Sequence, residues 1–128
     1  MSLKHTVIVG IPDSENITLE LDDALTPKTV AAFLKSLPLT IKANVWGKEL
    51  YTDPAPFSVG PENAHDVVDL FDVAFWPPGN AICLFYGNTP LSDSVIKPYS
   101  SVNVIGKILH PNVSVIKKTS DKKLVFHA

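Results

Sequence analysis

The chain is a series of short β-branched and aromatic runs, cut apart by clusters of proline, glycine and asparagine. That punctuation restricts it to an architecture of many short strands. The clearest run, Asn16–Leu21, alternates strictly. Ile17, Leu19 and Leu21 fall on one face, and Asn16, Thr18 and Glu20 on the other. A period of two marks a strand with one buried and one solvated face. His5–Ile11 is a strand before it, and Pro12-Asp13-Ser14-Glu15 is a polar turn in which proline pre-sets φ. Leu39–Trp46 sets Ile41, Ala43 and Val45 opposite Lys42, Asn44 and Trp46. Gly47-Lys48 then turns the chain, and Glu49–Thr52 pairs back.

One segment departs from this period. Thr26-Pro27 signals a helix start, with Thr as N-cap and Pro at the first helical position. Val30, Phe33, Leu34 and Leu37 recur at helical spacing, and Pro38 stops the helix at the residue before it. The apolar stripe is expected to cap a barrel or sheet. A partner-binding helix is the alternative.

Residues 53–66 hold Pro54, Pro56, Gly60 and Pro61 and read as loop or poorly paired edge. Val73–Trp76 is a short strand that ends in the turn Trp76-Pro77-Pro78-Gly79-Asn80, where proline fixes φ and Gly79 permits a positive one. An aromatic residue before proline raises the cis fraction, with trans still favoured. Ala81–Tyr86 is apolar on both faces and is expected to be covered on both. Val102–Leu109 is a central strand with Gly106 at a bend or close approach, and Lys123–His127 is the last strand. Residues 111–118 stay open between a strand and a short helix started by Pro111. Eight or so such strands imply a closed or nearly closed barrel.

Composition removes several functional classes. A chain of 128 residues with 45% hydrophobic and 19% charged content is expected to be one domain, residues 1–128. It has no apolar run long enough to span a membrane, and the acidic residues Asp13, Glu15 and Glu20 near its start argue against a secretory leader, so a cytoplasmic location is expected. A single cysteine, Cys83, excludes an internal disulfide and a cysteine-based zinc cage. All eleven basic residues are lysines, and glutamine is absent. Without the guanidinium fork, and with a net charge of -2, nucleic acid is not an expected partner. Six of the lysines lie beyond residue 93, against Asp121 alone. Lys117, Lys118, Lys122 and Lys123 are read as a solvated face, with a partner patch as the alternative.

The string Trp76-Pro77-Pro78-Gly79-Asn80-Ala81-Ile82-Cys83-Leu84-Phe85-Tyr86-Gly87 is specific. With Val102-Asn103-Val104-Ile105-Gly106-Lys107-Ile108, Asn44–Tyr51 and Thr89-Pro90-Leu91-Ser92-Asp93, it resembles an uncharacterised prokaryotic family of small cyclophilin-like proteins. The resemblance spans residues 16–126 and implies a mainly β fold: a closed antiparallel eight-stranded barrel, with the helix after the second strand over one mouth. It also tips residues 111–118 toward a short helix over the other mouth. Members usually carry glycine before the aspartate that precedes the Trp-Pro-Pro-Gly strand, where this chain has Phe71. A different turn, with Phe71 in the core, is the expectation.

Prolyl isomerisation is the enzyme hypothesis by fold analogy. Cyclophilins resemble one another in an arginine and a glutamine beside a phenylalanine-lined pocket, and this chain has neither residue type. Cys83, mid-strand among apolar neighbours, reads as a buried core thiol. Ser92-Asp93 and Ser100-Ser101 read as turn and cap residues. His5, His65, His110 and His127 lack metal-ligand spacing, so no metal, cofactor or catalytic residue is assigned. The remaining candidates are amphipathic rings. Trp46, Tyr51, Trp76 and Tyr86 are expected to wall a groove for a small molecule or short peptide. Asn103 and Lys107, on a shared face, would orient a polar or anionic group, and Pro77, Pro78 and Gly79 would hold Trp76 in place. The competing reading is ordinary barrel packing. An enzyme and a self-assembling structural protein, pairing through an edge or apolar patch, are the functional alternatives.

Overall fold

A computed structural model describes residues 3–128. Its strands are β1 (Lys4–Gly10), β2 (Ile17–Asp22), β3 (Leu39–Trp46), β4 (Glu49–Thr52), β5 (Asp72–Trp76), β6 (Ala81–Phe85), β7 (Asn103–Leu109) and β8 (Lys123–His127). They close into an antiparallel barrel in the order β1-β2-β7-β5-β6-β4-β3-β8. Closure removes the free strand edges an open sheet would expose. Two helices accompany it, α1 (Pro27–Ser36) and α2 (Val113–Ile116), the second continued by a 3-10 turn at Lys117–Thr119. Residues 111–118 are therefore mainly helical. The helix starts from Asn112, whose Oδ1 accepts from the Val115 amide at 3.4 Å, and not from Pro111. Among the described residues no helix is long and apolar enough to cross a membrane.

The barrel interior is filled by alternate residues such as Val7, Leu19, Val73, Phe75, Leu84 and Phe126, and α1 sets Val30 and Phe33 against them. A second, smaller cluster lies outside the barrel wall, where Ala74, Ala81, Cys83, Phe85 and Val102 are covered by Val68 of a long loop. All five residues of β6 are buried, which is the two-sided cover its sequence implied.

Several local expectations change. Thr26 stands at the start of α1, but its hydroxyl donates to the Val104 carbonyl at 3.1 Å instead of capping the helix. The cap comes from Glu62, whose carboxylate accepts from the Lys28 amide at 3.0 Å, the Thr29 amide at 2.9 Å and the Thr29 hydroxyl at 2.7 Å. Negative charge there also meets the positive end of the helix dipole. The Trp76–Pro77 bond is trans, and the cis bond lies at Leu37–Pro38. Phe71 packs against the core, yet it keeps a φ of 70°, the left-handed conformation that glycine adopts freely. Its amide donates to the Phe85 carbonyl at 2.7 Å, and its carbonyl accepts from the Ile108 amide at 2.9 Å, so two strands hold it in that conformation.

The consequential irregularity is a bulge. Val73 pairs with Gly106 and Ala74 with Val104, so Ile105 is the extra residue of β7. Alternation therefore flips along this strand: Asn103 and Ile105 are buried before the bulge, and Ile108 after it. Gly106 is required there, because a Cβ would lie 2.1 Å from the Glu20 carbonyl oxygen. At the other end of the chain Lys117, Lys118 and Lys123 face solvent, and Lys42 and Asp121 form a surface pair at 3.6 Å.

Candidate functional site

A cavity of about 230 Å³ opens on the outer face of the barrel. Its wall comes from strand register. Trp46 pairs with Glu49 across β3 and β4, Tyr51 with Cys83 across β4 and β6, and Ala81 with Trp76 across β6 and β5. Residues paired in this way project from the same face. Pro98, Tyr99 and Val102, on the segment leading into β7, close the remaining side.

The Trp76 indole is anchored. Its Nε1 donates to Ser100 Oγ at 2.7 Å. Beneath its ring, Pro77–Gly79 forms a 3-10 turn, and a Cβ on Gly79 would lie 2.5 Å from Trp76 Cζ3 and 2.7 Å from Cε3. Gly79 is therefore needed for space. The positive φ of this turn, 51°, belongs to Asn80, contrary to the sequence expectation. Tyr99 meets both indoles edge-on, with ring centroids 6.0 Å from Trp46 and 5.8 Å from Trp76. The Thr89–Asp93 string ties down the loop that carries Tyr99. The Thr89 hydroxyl donates to the Lys97 carbonyl, Ser92 Oγ accepts from the Thr89 and Lys97 amides at 2.9 and 3.0 Å, and Lys97 pairs with Asp93 at 2.8 Å. Ser92 and Asp93 are thus turn residues.

Glu49 forms the polar floor. It is 6% exposed, and its Oε1 is buried with no hydrogen-bond partner. Burial pushes its carboxyl up to about 7, partly offset by the neighbouring Cys83 thiol, whose own hydrogen bond runs to the Ala81 carbonyl at 3.8 Å. Burial and the adjacent Glu49 charge in turn push the Cys83 thiol well above its ordinary range, which makes it inert as a nucleophile.

Of the six side chains expected to meet in a groove, Trp46, Tyr51 and Trp76 do. The other three lie elsewhere. Tyr86 shares inward parity with Ile82 and Leu84 and joins the main core at 7% exposure. Asn103 is fully buried beneath α1, where its Nδ2 donates to Thr29 Oγ1 at 3.1 Å and to the Gly60 carbonyl at 3.0 Å, and its Oδ1 accepts from the Glu62 amide at 2.8 Å. Lys107 faces outward beyond the bulge, in a separate groove of about 300 Å³ with Asp22, His65, Asp69 and Asp72. The bulge separates Asn103 from Lys107, although their spacing in sequence puts them on one face. Burial raises the Asp72 carboxyl in that groove. Among the described residues no three His, Cys, Asp or Glu side chains are grouped to hold a metal ion.

Sequence reasoning missed Glu49 and Tyr99. Glu49 shares parity with Tyr51, so a carboxylate on an aromatic face was the available signal. Tyr99 lies in irregular backbone, where no periodicity identifies it.

Three comparisons bear on this geometry. A family model described as cyclophilin-like matches residues 5–127. Curated proteins yield no match. The solution structure of the hypothetical protein AF2241 from Archaeoglobus fulgidus is 38% identical, with a TM-score of 0.83 over 99% of this chain and 96% of that one. A structure of McbB in complex with tryptophan matches with a TM-score of 0.71 at 13% identity. It covers 94% of this chain but only 44% of McbB, a likeness of fold. With its barrel and the family match extending over nearly its whole length, the chain belongs to the cyclophilin-like family.

Proposed function

We propose that the outer cavity is a pre-organised recognition site for a small molecule or a side chain of a short peptide, and that the protein acts by binding without turnover. The observation that carries this reading is the convergence of Trp46, Tyr51, Trp76 and Tyr99 on one cavity, with Trp76 held by Ser100 and by the turn beneath it. Rings fixed before binding lose little freedom when a ligand docks. The volume, about 230 Å³, is below the roughly 300–1,000 Å³ of drug-sized sites and suits one compact group.

Both tryptophans of the chain lie in this cavity, so intrinsic fluorescence reports directly on it. Titration with single amino acids and with a proline-containing tetrapeptide should give saturable changes that Trp76→Ala abolishes. A protease-coupled prolyl-peptide assay should stay at the background rate. Catalysis is the second reading, favoured by one observation: a buried carboxyl poised near neutral pH, as a general acid or base requires. A rate above background that is lost in both Trp76→Ala and Glu49→Gln would establish it in place of simple binding.

A further inference from the structure

Among the described residues, the one buried side-chain oxygen without a hydrogen-bond partner is Oε1 of Glu49, and it lies in the wall of the aromatic cavity. A buried carboxylate normally has a cation or several donors around it. Here the neighbours are the Cys83 thiol, a weak donor, and aromatic rings whose π faces are themselves electronegative. Among the described residues no lysine or histidine lines this cavity, and none forms an ion pair with Glu49. The carboxylate and the ring faces of the lining therefore favour positive charge.

Taking the recognition reading above as its basis, we infer that the cavity binds an organic ammonium group, with Trp46, Trp76 and Tyr99 surrounding the cation and Glu49 as its counter-ion. Indole and phenol rings attract cations through the ring quadrupole, and bulky, weakly hydrated ammonium groups lose least on leaving water. The carboxylate adds a charge that a purely apolar ligand would leave unmatched. An anionic ligand, which Lys107 on the same face would have suited, is disfavoured because Lys107 lies in the other groove.

The titratable groups facing Glu49 are Cys83 on β6, Tyr51 on its own strand and Tyr99 on the loop. Lys48, next to it in sequence, runs its methylene chain along Gly87. The charge of Glu49 in this lining changes near neutral pH. Binding of a permanent cation should therefore strengthen as pH rises through about 7.

The test compares tetramethylammonium with tert-butanol, a neutral molecule of similar size, by fluorescence of the intact protein. Tetramethylammonium should bind at least tenfold more tightly at about pH 8, and that preference should fall about tenfold on acidification to about pH 5.5. Glu49→Gln, nearly isosteric, should abolish the preference. Tyr99→Ala, at a position 69% exposed and so safe for folding, should weaken tetramethylammonium severalfold without moving its pH dependence. Equal affinity for the two probes, with saturable signals for both, would overturn the ammonium assignment while leaving the cavity a binding site. Silence toward both probes, and toward the amino acids and peptide above, would overturn both readings.

Discussion

Replacing Glu49 by glutamine should change how the stability of the barrel depends on pH. The carboxyl sits near its ordinary value of 4.5 in the unfolded chain and at about 7 in the folded one. Between those values the folded protein holds a proton that the unfolded chain has released, so stability falls as pH rises through this window. The contribution is fully present below 4.5 and lost above about 7, and the difference corresponds to about 3 kcal/mol. Glutamine keeps the shape and cannot ionise. Urea denaturation at a series of pH values from about 4.5 to 8 measures the effect as the stability of Glu49→Gln minus that of the parent. That difference should grow by about 3 kcal/mol across the range, with most of the change centred between pH 5 and 7. Other titrating groups, such as the Asp72 carboxyl raised by burial, are common to both proteins and cancel. Two parallel curves would refute the reasoning, since they would mean that Glu49 ionises as readily folded as unfolded.

Further substitutions probe the supports of the site. Gly79→Ala should push the Trp76 indole off its turn, costing about 1–3 kcal/mol, breaking the Ser100 hydrogen bond and red-shifting tryptophan emission. Unchanged emission would mean that the ring has room to spare. Glu62→Ala should destabilise by about 1 kcal/mol in thermal or urea unfolding, through loss of the α1 cap, and should leave the cavity fluorescence unchanged. At Phe71 both Ala and Gly remove the ring, but only Gly relaxes the φ of 70°. Phe71→Gly should therefore be the more stable of the two by about 1 kcal/mol.

Most of the barrel was legible because its signals are local. The strict alternation of β2, the β3 boundaries at Leu39 and Trp46 and the two-sided burial of β6 all follow from period and composition within one segment. The site was half legible for the same reason. Trp46 and Trp76 could be placed at strand ends by counting, whereas Tyr99 depends on where an irregular loop returns. Asn103 and Lys107 were misplaced because alternation counts residues and a bulge adds one. Gly106 marked the close approach, but only the pairing partners reveal that Ile105 is the extra residue. The helix cap was hidden differently: Glu62 lies more than thirty residues along the chain from the amides it satisfies, and no local pattern links them.

The polar side chains buried in this barrel divide by what they do for it. Thr26 bonds Val104, Thr29 bonds Glu62, Thr52 accepts from the Ile82 amide, Thr89 bonds Lys97, Asn103 joins α1 to the loop, and Thr119 bonds Ile116. Each satisfies a backbone or side-chain group that folding would otherwise strand, so each position is explained by the fold itself. Among the described residues Glu49 satisfies no backbone group, and its buried Oε1 is left bare. At that position a neutral side chain of the same size would serve the barrel better at neutral pH. A residue that weakens the fold while completing the wall of a cavity is the pattern expected of a binding group, whose partner arrives from outside the chain.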